Sequence, residues 1–128
     1  PRALLARLGD EPGPACGLYL PGGAAGLLHP PARGPGPDGR PLLDVDVVAA
    51  VLSETAPHAP VEHVTEPVEA VEADPGAALF VVRPVPADRV FALGAAGHRL
   101  PPKTTWFRPK PRTGLVMRAV AEPATVIS

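Results

Sequence analysis

The sequence predicts an α+β fold, with one mixed β-sheet of about five strands covered by two or three short helices. Three observations carry this. Short apolar runs follow one another along the chain, and Pro- and Gly-rich turns punctuate them. The apolar spacing switches between the two-residue repeat of strands and the 3.6-residue repeat of helices. A length of 128 residues, with 45% apolar and 20% charged content, suits a single soluble domain (1–128) around one modest core.

Ala3–Leu8 reads as a short helix closed by Gly9 and the turn through Asp10-Glu11-Pro12-Gly13-Pro14. Ala15–Leu20 and Ala24–His29 read as strands joined by Pro21-Gly22-Gly23, a hairpin signal. Pro30–Pro41 has no periodicity and reads as a mobile loop, with Arg33 and Arg40 solvated. Asp44–Thr55 is the clearest helix. Asp44 or Asp46 can accept from the free N–H groups of its first turn, and their charge suits its N-terminal pole. Val47, Val48, Val51 and Leu52 make its apolar face, and Ala56-Pro57 ends it. Metal binding by Asp44 and Asp46 is the sharper alternative, but no further ligand at suitable spacing supports it.

Val61–Thr65 reads as a half-buried strand, and Glu66–Val71 as a short helix with Pro67 near its first turn. The acids Glu66, Glu69 and Glu72 give that helix a solvated face. Ala77–Arg83 is the most hydrophobic strand and is expected in the middle of the sheet, with Pro84-Val85-Pro86 stopping it. Ala87–Ala96 returns as a helix closed by Gly97, burying Val90, Phe91 and Leu93. Thr113–Arg118 reads as a last strand, followed by a frayed tail over 121–128. If the strands from Val61 onward run parallel, their crossovers are right-handed.

Composition narrows the function classes. Aromatics make up 4% of the chain, so the core is built from Val, Leu and Ala. A net charge of −1 argues against a general nucleic-acid binder. Abundant Arg and Ala with little Lys suggest a GC-rich, bacterial genome. Cys16 is the lone cysteine, set in an apolar run; it forms no internal disulfide and reads as a small buried residue rather than a nucleophile. There is no apolar run of about 18 residues and no signal peptide, so a cytoplasmic protein is expected. His58 and His63 flank Glu62, with no further pair to complete a tetrahedral metal set, and read as surface histidines. The chain opens Pro-Arg without Met and is expected to be a piece of a longer protein.

The charge is split along the chain. From Asp38 to Asp88 there are ten acids against two bases, whereas His98–Arg118 holds six of the twelve Lys and Arg and no acid. Within it, Lys103, Thr104, Thr105, Arg108 and Lys110 offer ammonium, hydroxyl and guanidinium donors, the natural match for phosphate or carboxylate. Prolines 101, 102, 109 and 111 limit the entropy lost in aiming them. The Gly-rich turn of a P-loop is missing. Trp106-Phe107 could wall a ring or a base, although two adjacent aromatics make a poor single-strand nucleic-acid platform. The competing account tucks Trp106 and Phe107 into the core and pairs the bases with the acidic helices.

The stretch LPPKTTWFRPKPRTGLV resembles the C-terminal signature of the domain-of-unknown-function 1015 family. That signature runs approximately Met-Pro-x-Lys-Ser-Thr-x-Phe-x-Pro-Lys-x-x-x-Gly-Leu-Val. Pro102, Lys103, Thr104, Thr105, Phe107, Pro109, Lys110, Gly114 and Leu115 match it or differ conservatively, while Trp106 stands where Tyr or Phe is common. Gly17–Leu20, Leu43–Val47 and Ala78–Val82 with Pro84 are similar to the same family more weakly.

The resemblance implies that this is the C-terminal half of a longer protein. It implies a missing N-terminal half with an Asp-Gly-His-His-Arg motif similar to that of ParB/sulfiredoxin-type serine kinases. ATP or ADP would then be a cofactor of the full-length protein only, and the fragment alone would be inactive. The expected ligand is a phosphorylated small molecule, linked to serine metabolism. Pro102, Phe107, Pro109 and Gly114 would shape the loop and Lys103, Thr104, Thr105, Arg108 and Lys110 would hold the anion. No metal site and no membrane contact are expected. The alternative is a non-catalytic interaction or dimerisation module, whose basic loop docks on acidic protein surface of the missing half or of a second copy.

Overall fold

The computed structural model describes residues 2–31, 34–102 and 104. They form an α+β arrangement of four α-helices and one three-stranded antiparallel sheet. Helix α1 (Arg2–Gly9) precedes the hairpin of β1 (Cys16–Tyr19) and β2 (Ala25–Leu28). Helices α2 (Asp44–Thr55) and α3 (Pro67–Ala73) follow, then β3 (Leu79–Val81) and α4 (Ala87–Ala95). The strand order is β2-β1-β3.

The β1–β2 turn is closed by Leu20 N–H donating to Ala24 O (2.8 Å) and Gly23 N–H donating to Leu20 O (3.0 Å). Gly22 and Gly23 both sit at positive φ (89° and 92°), which side chains disfavour and glycine allows. The register pairs Gly17 with Leu27 on one side and with Val81 on the other. Strand parity then puts Ala15, Gly17, Tyr19, Leu27, Leu79 and Val81 on one face. That face receives α1: Leu4 and Leu8 cluster with Ala15 and Val81, and Tyr19, Leu27 and Leu79 pack around them. α2 packs on β1, with Val47 buried, and α3 packs on β3.

Several expectations are corrected. Three strands are found where about five were expected, and among the described residues they are all antiparallel, so the sheet is not mixed and there is no parallel crossover. Val61–Thr65 is not a strand but an exposed stretch without regular structure. Val61 and Val64 stand three residues apart, so a strand would turn them to opposite faces, and they remain 58% and 47% exposed. Among the described residues β3 lies at an edge of this sheet and β1 is central, because among them β1 alone has a neighbour on both sides. Phe91 is not buried. It is 73% exposed, Val90 is half-buried, and Leu93 alone of the three is sequestered. The expected strand Thr113–Arg118 and the tail 121–128 lie outside the described residues. No helix among the described residues is long and apolar enough to cross a membrane.

Candidate functional site

Only Pro102 and Thr104 of the anion-binding stretch fall among the described residues; Lys103, Thr105, Phe107, Arg108, Pro109, Lys110 and Gly114 lie outside them. Pro102 is exposed in a turn. Thr104 is half-buried and folds back on that turn: its N–H and its Oγ1 both donate to Pro101 O, at 3.3 and 2.6 Å. The Thr104 hydroxyl proton is therefore committed to the backbone in this state.

Two arginine–aspartate pairs at the N-terminus of α2 organise the best-defined polar region. Asp46 is the third helical residue, and its Oδ2 accepts from Leu43 N–H at 2.7 Å, serving one of the orphan amides of the helix start. The Arg40 guanidinium grips the same carboxylate in fork geometry, Nη1 to Oδ2 and Nη2 to Oδ1, both 2.7 Å. Arg40 is 2% exposed, which corrects its reading as a solvated loop residue. Gly36 N–H donates to Arg40 O at 2.6 Å, and a 3-10 turn over Pro37–Gly39 fits between them. Burial alone would push the Asp46 carboxyl up, but the Arg40 and Leu43 hydrogen bonds outweigh it and hold it below the usual range.

Asp44 makes long-range contacts instead. Its Oδ1 accepts from Ala15 N–H (3.1 Å), and its Oδ2 from Arg83 N–H (3.1 Å). Arg83 adds Nε to Oδ2 and Nη2 to Oδ1, both 2.7 Å. The other edge of the same guanidinium donates to Glu11 O and Gly13 O, each at 2.6 Å. One side chain beyond β3 thus fastens the α1–β1 turn to the start of α2. Burial opposes the Asp44 charge here too, and the Arg83 and Ala15 donors again hold its carboxyl low. Burial, reinforced by the Asp44 charge, pushes the Cys16 thiol up to about 11, so it stays a protonated core group.

Both aspartates are engaged by arginine, and no group of three His, Cys, Asp or Glu among the described residues stands close enough to hold a metal ion. Beside the Arg83–Asp44 pair lies an open cleft of about 250 Å³, walled by Pro12, Pro14, Leu42, Pro84 and Pro86. The Arg89 side chain from α4 also lines it, exposed, with one long contact of 3.5 Å to Leu42 O. Sequence reasoning missed this cleft, because its walls come from three segments far apart in the chain. The one signal was the recurrence of Pro-x-Pro at 12–14 and 84–86, the second directly after Arg83. No family model, no curated protein and no solved structure matches the chain.

Proposed function

We propose that the chain binds an anionic, phosphate-bearing small molecule through the segment Lys103–Lys110. In the finer form of this reading it completes the site of a longer, cytoplasmic bacterial phosphotransferase linked to serine metabolism, which would use ATP or ADP. The observation that carries it is the charge segregation: six of twelve bases and no acid within His98–Arg118. The two arginines of the acidic half, Arg40 and Arg83, are already paired with Asp46 and Asp44. Lys103 neutralises charge, Thr104 and Thr105 donate hydrogen bonds, and Arg108 or Lys110 clamps a second oxygen. For Thr104 to serve, its hydroxyl must exchange Pro101 O for the ligand.

A thermal-shift series with ATP, ADP, phosphoserine, phosphate and sulfate tests this. A ligand held only by the folded chain at a hundred times its Kd adds about 2.7 kcal/mol, which moves Tm by several degrees. The expected shift disappears in Lys103→Ala. Equal shifts in both proteins, or none with any of the five, sink the proposal.

A second reading, a protein-interaction module, draws on the exposed Phe91. Under it, Lys103→Ala leaves ligand shifts untouched and loosens assembly, seen as a fall in mass by light scattering.

A further inference from the structure

We infer that the cleft between the Pro12–Pro14 turn, the Leu42–Asp44 corner and the Pro84–Pro86 strap binds a small carboxylate with an apolar body, anchored by Arg89. This site is separate from the Lys103–Lys110 segment and does not rest on it.

The charge balance of the cleft selects the class of ligand. Arg83 and Asp44 both line it, but their charges cancel in a pair with Nη2 to Oδ1 at 2.7 Å. Among the described residues Arg89 is the remaining charged residue of the lining, exposed, and its one hydrogen-bond contact among them is the 3.5 Å approach to Leu42 O. The surplus is one positive charge. A monoanion balances it, whereas a phosphate dianion would leave charge uncompensated beside the Asp44 carboxylate. A guanidinium also presents paired N–H groups that match the two oxygens of a carboxylate.

A second donor is available. Of the five N–H groups of Arg83, Nε, both on Nη2 and one on Nη1 are used by Asp44, Gly13 and Glu11. One Nη1 hydrogen is left over, and the side chain is 29% exposed, so it is within reach of a ligand. The rest of the lining is apolar and stiff. Proline rings at 12, 14, 84 and 86, with Leu42 and Val85, supply walls that lose little entropy on binding. About 250 Å³ lies just below the usual range for drug-sized ligands, so the occupant is small, of the size of one acylated amino acid.

The probe is N-acetyl-leucine, with N-acetyl-leucinamide as its neutral twin and inorganic phosphate as the rival anion. Binding is followed by amide chemical shifts of the full 128-residue chain. N-acetyl-leucine is expected to shift the Gly13, Leu43, Arg83 and Val85 amides saturably, and the amide twin to leave them in place. Arg89→Met keeps the side-chain bulk on an exposed helix position, and it should weaken N-acetyl-leucine at least tenfold with the spectrum otherwise preserved. Lys103→Ala should leave this binding unchanged, which separates its failure from that of the phosphate-binding reading. Equal binding of acid and amide, unchanged affinity in Arg89→Met, tighter binding of phosphate at the same amides, or shifts confined to other residues would each overturn the assignment.

Discussion

Asp44 and Asp46 stand two residues apart in one helical turn and do different work. Asp46 caps its own helix, as an acid at the third helical position can, while Asp44 fastens distant chain. Asp44→Asn keeps the shape and leaves Arg83 without its counter-charge. Breaking a buried pair from one side costs about 3–5 kcal/mol, and the partial exposure of Arg83 brings the expectation to about 2–3 kcal/mol. A shift in the urea midpoint at constant slope reads it; a change under about 0.5 kcal/mol contradicts the clamp.

Acid acts on the same groups. Both carboxyls titrate lower in the folded chain than in the unfolded one, so the unfolded chain takes up protons first as pH falls. Their stabilisation is complete well above the unfolded carboxyl value of about 3.9 and is lost as pH drops from there through the depressed folded values. Urea midpoints should be level from pH 7 to 5 in these terms and fall towards pH 2. A midpoint as high at pH 2 as at pH 5 rules this out. The sequence showed that two acids open a helix, since a cap is a local event. It could not show that Arg40 is buried, because a Pro- and Gly-rich loop reads as solvated whatever its anchor holds.

Elements were legible where their cause was local. The Asp44–Thr55 helix has the bounds its apolar spacing predicts, and Ala87–Ala95 ends one residue short of its expected limit. Its stop is a Schellman closure: Gly97 at φ 78°, His98 N–H to Leu93 O and Gly97 N–H to Gly94 O, both 3.0 Å. Two glycines three residues apart should therefore respond oppositely to alanine. Gly97→Ala forces a side chain into the left-handed region at about 1–2 kcal/mol, whereas Gly94→Ala, at a helical position in the last turn with open space around it, stabilises by about 0.5 kcal/mol. Thermal melts of the two variants moving the same way would refute the pairing.

Gly17 is a different case, since a Cβ there would meet Leu4 Cγ and Cδ2 at 2.9 Å. Leu4 is buried and cannot retreat cheaply, so Gly17→Ala should cost about 1–3 kcal/mol by overpacking. A melt within error of wild type would mean α1 rides loosely on the sheet. Strand pairing was the illegible part, as a short apolar run does not name its neighbour. Ala77–Arg83 looked central on hydrophobicity, yet among the described residues β3 pairs only with β1.

At the scale of the whole molecule, the described residues form a small scaffold in which Arg40 and Arg83 are taken up by Asp46 and Asp44, and the sequence from His98 to Arg118 is rich in cations without acids. The segregation of charge was visible in composition, but the Arg89 cleft was not, because topology rather than spacing brings its walls together. The Arg83 clamp has a kinetic side as well. It joins residues 72 and 39 positions apart, and contacts of such separation form only after most of the chain has been gathered. Asp44→Asn should then leave the folding limb of the chevron almost unchanged and place nearly all of its effect on the unfolding limb. The clamp would act as a latch that sets how long the folded state lasts rather than how quickly it is reached.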